Sequence, residues 1–179
     1  MQVLSKYFWL LIAIPALAYA QAPDEELIDW RGSSQLTWDD YKGRPDPNSD
    51  AAASTTTYLG IEYKFSSKGF EYDIQCRFSR TRSWGKHKTD YILKHEQGHF
   101  DIAEIFARKL NREMSEYRFD EKNFKKDLKK IYEKITKEKE EYQEQYDRET
   151  DHSRKSVRQA EWLVKIAERL EELKEFSEY

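Results

Sequence analysis

The apolar residues of this chain change their spacing once, near residue 85, and that change restricts the folds open to it. Before it, Thr55, Thr57, Leu59, Ile61, Tyr63 and Phe65 recur at every second position, with Thr56, Glu62 and Lys64 on the other face. Phe70, Tyr72, Ile74, Cys76 and Phe78 repeat the pattern, alternating with Glu71, Asp73, Gln75 and Arg77. A period of two sets one face of a strand on a core and the other in water. Ser66-Ser67-Lys68-Gly69 reads as a four-residue loop joining the two strands into a hairpin. Upstream, Leu27 to Trp30 is a short strand-like piece, and Arg44 to Asp50, with two prolines, is a loop.

Beyond residue 85 the spacing becomes three and four. Ile92, His95, His99, Ile102, Ala103, Phe106, Leu110 and Met114 form one stripe, which predicts a helix from about Thr89 to Tyr117. A second helix is expected after Asp120 as N-cap, with Phe124, Leu128, Ile131, Ile135, Tyr142 and Tyr146 on its apolar face. Asp147 to Ser153 interrupts the period. A third helix then carries Val157, Ala160, Leu163 or Val164, Ala167, Leu170, Leu173 and Phe176. The charge runs Lys137 to Glu141 and Glu171 to Glu175 read as solvated helix faces. The fold class is therefore α+β: a small antiparallel sheet packed on the first helix, followed by two further long helices. Residues 21–179 form one domain in this reading, β-rich over 21–85 and helical over 86–179.

Residues 1–20 read as an export signal. Lys6 is the positive start, Tyr7 to Leu17 is an uncharged apolar run, and Ala18-Tyr19-Ala20 is a small-x-small cleavage site. The apolar run is too short for a stable span, so no stable membrane insertion is expected after cleavage. The destination is then periplasmic or extracellular. Cleavage removes Lys6 and no acid, taking the net charge from −3 to −4, a mild balance that argues against nucleic acid as partner. Cys76 is the only cysteine, so no intrachain disulfide is possible, and its place on an apolar face makes it a buried structural thiol.

The chemistry lies in His95-Glu96-Gln97-Gly98-His99, which fits His-Glu-x-x-His. Residues i and i+4 share a helix face, so both imidazoles can be aimed at one ion. Glu96 is rotated by about 100° from His95, near enough to serve as general base without ligating. Zinc at such a site acidifies a bound water, and the carboxylate takes its proton as it attacks a carbonyl. The two histidines also fall on the apolar stripe, where a stacked pair beside a carboxylate is hard to desolvate without a shared partner. Gly98 costs the helix about 1 kcal/mol relative to alanine and so needs a reason, for which the close approach of another backbone is the expectation.

Catalytic zinc takes three protein ligands and one open position. Six residues past His99 stands Ile105, which cannot ligate, and Asp101 and Glu104 point off the histidine face of a regular helix. His87, in the basic loop Lys86-His87-Lys88, reads as exposed. His152, in the break between the second and third helices, is the preferred third ligand, with Glu149 second. The competing reading makes that break a plain turn with Asp151 or Ser153 as helix cap.

These residues carry a resemblance. Leu36-Thr37-Trp38, Tyr41-Lys42-Gly43, Ala51 to Thr57, Ser83-Trp84, the run His95 to Glu104, Tyr146-Asp147, Glu149-Thr150, His152, Gln159 and Trp162 together resemble the bacterial domain-of-unknown-function family number 922. Its members are usually described as secreted zinc-dependent proteases. The resemblance implies a zincin-like first helix with His95, Glu96 and His99 in their usual roles and His152 as third ligand. Asp147 or Asp101 could accept an imidazole N–H, and Tyr146 could stabilise an oxyanion. The Thr-rich strand edge could pair with an extended peptide. The expectation is a secreted zinc metallopeptidase acting on a peptide or protein substrate, its oligomeric state open. The alternatives are a zinc-stabilised binding or scaffold protein whose long helices form an interaction arm, or a zinc hydrolase acting on something other than peptides. Glu96 separates the first alternative, because a structural site needs no unligated carboxylate there.

Overall fold

In the computed structural model, which describes residues 26–30, 35–66 and 69–179, five strands precede three α-helices. They are β1 (Leu27–Asp29), β2 (Ala53–Ser54), β3 (Thr57–Ser66), β4 (Gly69–Ser79), β5 (Trp84–Gly85), α1 (Asp90–Glu116), α2 (Phe124–Thr150) and α3 (Ser156–Glu172). The signal reading falls on residues outside those described. Among the described residues no helix is long and apolar enough to cross a membrane.

The two alternating segments form an antiparallel ladder, with Leu59 opposite Cys76, Ile61 opposite Ile74 and Phe65 opposite Phe70. The sheet order is β1-β4-β3, and β2 and β5 make a separate two-stranded pair. The register runs to Ser66 opposite Gly69, so only residues 67–68 lie between the strands instead of four. Leu59, Ile74, Cys76 and Phe78 are buried against α1, with the Phe78 and Phe100 ring centroids 5.8 Å apart. Thr55, expected on the same strand face, instead lies in the junction between β2 and β3. Cys76 is 3% exposed, and burial holds its thiol pKa well above the ordinary value, so it packs and does not react.

Helix α1 is the centre of the molecule, with the sheet on one side and α2 and α3 on the other. Thr89 caps it, its hydroxyl accepting the Ile92 N–H at 3.2 Å. The second helix starts later than expected. Asp120 accepts from Lys122 N and Asn123 Nδ2 and so closes the preceding turn, while the helix begins at Phe124. It also ends later, at Thr150, so Tyr146 and Asp147 both ride on α2. In α3 the buried face is Gln159, Trp162 and Ile166, whereas Val157 and Val164 are 70% and 59% exposed. The expected stripe holds at its C-terminal end, where Leu170, Leu173 and Phe176 meet the core, but is out of phase at Val157, Ala160, Val164 and Ala167, because Trp162 packs its ring on Tyr142 and Tyr146 and sets the helix rotation. Lys139 likewise departs from the solvated run it belongs to, being buried at 6% exposure.

Candidate metal centre

A cleft of about 500 Å³ opens between the segment 51–57 and the faces of α1 and α2, and His95, Glu96, His99, Gln143, Asp147 and His152 line it. One carboxylate oxygen is its focus. Asp147 Oδ1 lies 3.1 Å from His95 Nε2 and 3.1 Å from His99 Nε2, and 3.4 Å from His152 Nδ1. The helical spacing of the histidines does what the motif requires, and α2 lies antiparallel-fashion beside α1 close enough for Asp147 to meet both rings.

Each ring is held differently. His99 Nδ1 bonds to Gln143 Oε1, and Gln143 Nε2 donates to the His99 carbonyl at 2.8 Å, so one amide clamps both ends of the residue. A carbonyl acceptor at Nδ1 fixes the proton there and leaves Nε2 to face the cleft. His95 Nδ1 is buried without a partner, and its ring is held by stacking on Tyr146 at 4.5 Å. Burial depresses the His95 pKa more than the nearby carboxylate restores it. For His99 burial also pulls down, but the hydrogen bond and charge of Asp147 overcome it and lift the value to about 9. Burial disfavours the Asp147 anion, yet both imidazoles hold its carboxyl well below the ordinary carboxylate range.

Three donor atoms converging in this way favour a positive charge at their centre, which a protonated His99 or a bound cation can supply. His95, His99 and Asp147 each offer one ligand atom, all within 4.8 Å of one another. The 3.1 Å separations are near the ~3.3 Å edge of a tetrahedron with zinc–ligand bonds of about 2.0–2.1 Å. The donor set therefore fits a zinc ion.

Glu96 sits beside this cluster at 4% exposure and is not part of it. Its Oε2 accepts from the Thr55 hydroxyl at 2.6 Å, and Thr55 is in turn bonded to Tyr41 at 2.9 Å. The remaining candidates divide. His152 is at the cleft with its side chain 57% exposed, on a turn where Asp151, His152 and Ser153 all have positive φ. Glu149 points away, accepting from Gln145 and from Trp162 Nε1 at 2.9 Å. His87 is exposed and does not line the cleft. Asp101 serves Trp30 and Gln97, not an imidazole. Tyr146 is fully buried behind His95, its hydroxyl donating to the His95 carbonyl at 3.2 Å, and it does not line the cleft. The oxyanion role expected for it has no support in that position; it carries the His95 ring instead. Gln143 was missed altogether, although its i,i+4 spacing to Asp147 on one helix was a usable signal.

What approaches Gly98 is a side chain and not the backbone expected there. A Cβ at this position would lie 2.6 Å from the Tyr146 hydroxyl and 3.0 Å from its Cζ. Gly98→Ala gains about 1 kcal/mol of helix propensity but must displace a buried ring at a cost of about 1–3 kcal/mol. Chemical denaturation should register a net loss of about 1 kcal/mol. Stability equal to or above wild type would mean that Tyr146 yields freely.

The chain matches the family described as "Bacterial protein of unknown function (DUF922)" over residues 28–153, and it belongs to that family. No curated protein and no solved structure matches it.

Proposed function

We propose that the chain is a zinc-dependent hydrolase, exported to the periplasm or medium, that cleaves peptide bonds in the cleft between residues 51–57 and α1. The observation that carries this is the convergence of His95 Nε2, His99 Nε2 and Asp147 Oδ1 beside a separate, buried Glu96. In this reading those three residues hold the ion. His152, at 3.4 Å from Asp147, orients that carboxylate in place of the ligand role expected for it. Zinc, when bound, supplies a Lewis acid and an acidic water.

The chain's own groups do the rest. Thr55 donates to Glu96 Oε2, so that oxygen is fixed and the other is left to take a proton in the cleft. The Tyr41 hydroxyl bonded to Thr55 keeps the relay in register. Gln143 prevents His99 from turning. Segment 51–57 lines the opposite wall, and among the described residues its strand β2 pairs on one side only, with β5. That leaves a strand edge able to accept an extended peptide, which favours a peptide over other carbonyl substrates.

Metal analysis combined with cleavage of a peptide library tests the reading. One zinc per chain, with cleavage lost to a chelator and restored by zinc, is the expected result; a metal-free protein at neutral pH would end it. Asp147→Asn should weaken zinc binding by about 10–100-fold or more, and Glu149→Gln should leave it unchanged. Should His152→Ala prove the more damaging to affinity, the third ligand is His152 and Asp147 orients it.

A further inference from the structure

At the end of the molecule away from the cleft, aromatic side chains gather on the surface. Tyr63, Phe65 and Phe119 are 43%, 49% and 43% exposed, large values for rings of this size. They lie on a bed of half-buried rings: Phe65 contacts Phe70 at 5.4 Å and Phe124 at 4.9 Å, and Phe119 stacks on Phe70 at 5.5 Å. The cluster unites the outer end of the β3–β4 ladder with the α1–α2 connection. Phe119 stands twenty residues past His99, and the α1 axis alone carries its end about 26 Å from the candidate metal centre.

The α1–α2 connection at this end is basic, while the hairpin beside Tyr63 carries Glu62, Glu71 and Asp73 against Lys64. From Arg118 to Lys130 the cations are Arg118, Lys122, Lys125, Lys126, Lys129 and Lys130, against Asp120, Glu121 and Asp127, a local balance of +3 in a chain of −3. The five lysines are exposed. Asp120 spends its carboxylate on Lys122 N and Asn123, and Lys129 has only a 3.6 Å surface pair with Glu133. The exposed parts of the three rings come to about 300 Å², well short of the ~800 Å² per partner of a standard protein interface. A few interfacial rings flanked by lysines are, however, sufficient for a membrane surface, where ring insertion and attraction to anionic headgroups add.

We propose that this patch docks the protein peripherally on an anionic bilayer, with Tyr63, Phe65 and Phe119 entering the headgroup region and Lys122, Lys125 and Lys126 meeting lipid phosphates. The cleft, near the other end of α1, then stands clear of the bilayer surface. Neither the docking nor its test depends on hydrolysis.

Co-sedimentation of the full chain with phosphatidylglycerol–phosphatidylcholine vesicles tests it. Wild type should bind at low salt, release as salt rises, and ignore pure phosphatidylcholine. Phe65→Ser/Phe119→Ser and Lys125→Glu/Lys126→Glu should each weaken binding about tenfold or more. Both sites are at the surface, and an unchanged circular dichroism spectrum checks that each variant is folded. Absence of binding to the anionic vesicles, or binding that both variants retain in full, overturns the proposal. So does a concentration-dependent dimer that Phe65→Ser/Phe119→Ser abolishes, since the patch would then belong to a second copy of the chain.

Discussion

Glu96→Gln is expected to keep zinc and fold while lowering peptide cleavage by about 10²–10⁴-fold, the usual contribution of a positioned general base. The substitution is nearly isosteric at a buried position, and a glutamine oxygen can still accept the Thr55 hydroxyl that now bonds Oε2 at 2.6 Å. Packing is therefore preserved. What disappears is the capacity to hold a proton, and about 3–5 kcal/mol of barrier lowering goes with it. Undiminished turnover in the zinc-loaded variant would reject Glu96 as the base. Loss of zinc with loss of activity would make it a ligand, and intact zinc without any activity in wild type would favour the scaffold reading.

Arg108→Leu should cause the largest loss of stability, about 3–5 kcal/mol, as removal of one partner of a buried ion pair does. Arg108 Nε donates to Glu104 Oε1 at 2.8 Å and Nη1 to the Leu170 carbonyl at 2.6 Å, joining α1 to α3. Its guanidinium also lies 5.2 Å from the centre of the Trp30 ring. Glu104 is 1% exposed, and the Tyr179 hydroxyl also donates to it. Burial already raises the Glu104 carboxyl pKa, even with Arg108 beside it. A carboxyl raised on folding stabilises the fold as pH falls and costs stability as pH rises through its titration. The deficit of Arg108→Leu should therefore narrow toward acid pH, and Glu104→Gln/Arg108→Leu should lose less than Arg108→Leu alone. Equal losses in the two, flat with pH, would show that packing of the guanidinium matters and its charge does not.

The same residues mark how far the sequence could be read. Alternation from Leu59 to Phe78 was legible because a strand with one wet face must alternate, and the ladder follows that phase. The α1 limits were legible because Thr89 is a cap and the stripe runs unbroken to Met114. The α3 phase was legible only in its second half, where Leu170, Leu173 and Phe176 meet the core. Its valines and alanines suit either face, and the bulk of Trp162 against Tyr142 and Tyr146 decides between them. The end of α2 was missed for a related reason: Asp147 to Thr150 is polar, and polar residues look like a break until it is known that they face a polar site.

The change of spacing near residue 85 and the motif on the following helix are local facts, and local facts determined an α+β chain with two imidazoles and a carboxylate on one helix. Backbone geometry alone places His95 and His99 one turn apart. Which distant group meets them was decided by tertiary structure. The close approach that Gly98 permits brings Tyr146 against α1, and with Tyr146 comes the next residue, Asp147, to both Nε2 atoms. Spacing within the sequence does not by itself encode that contact, because it joins residues some fifty positions apart through the packing of α1 on α2, and the motif's glycine is its trace on α1.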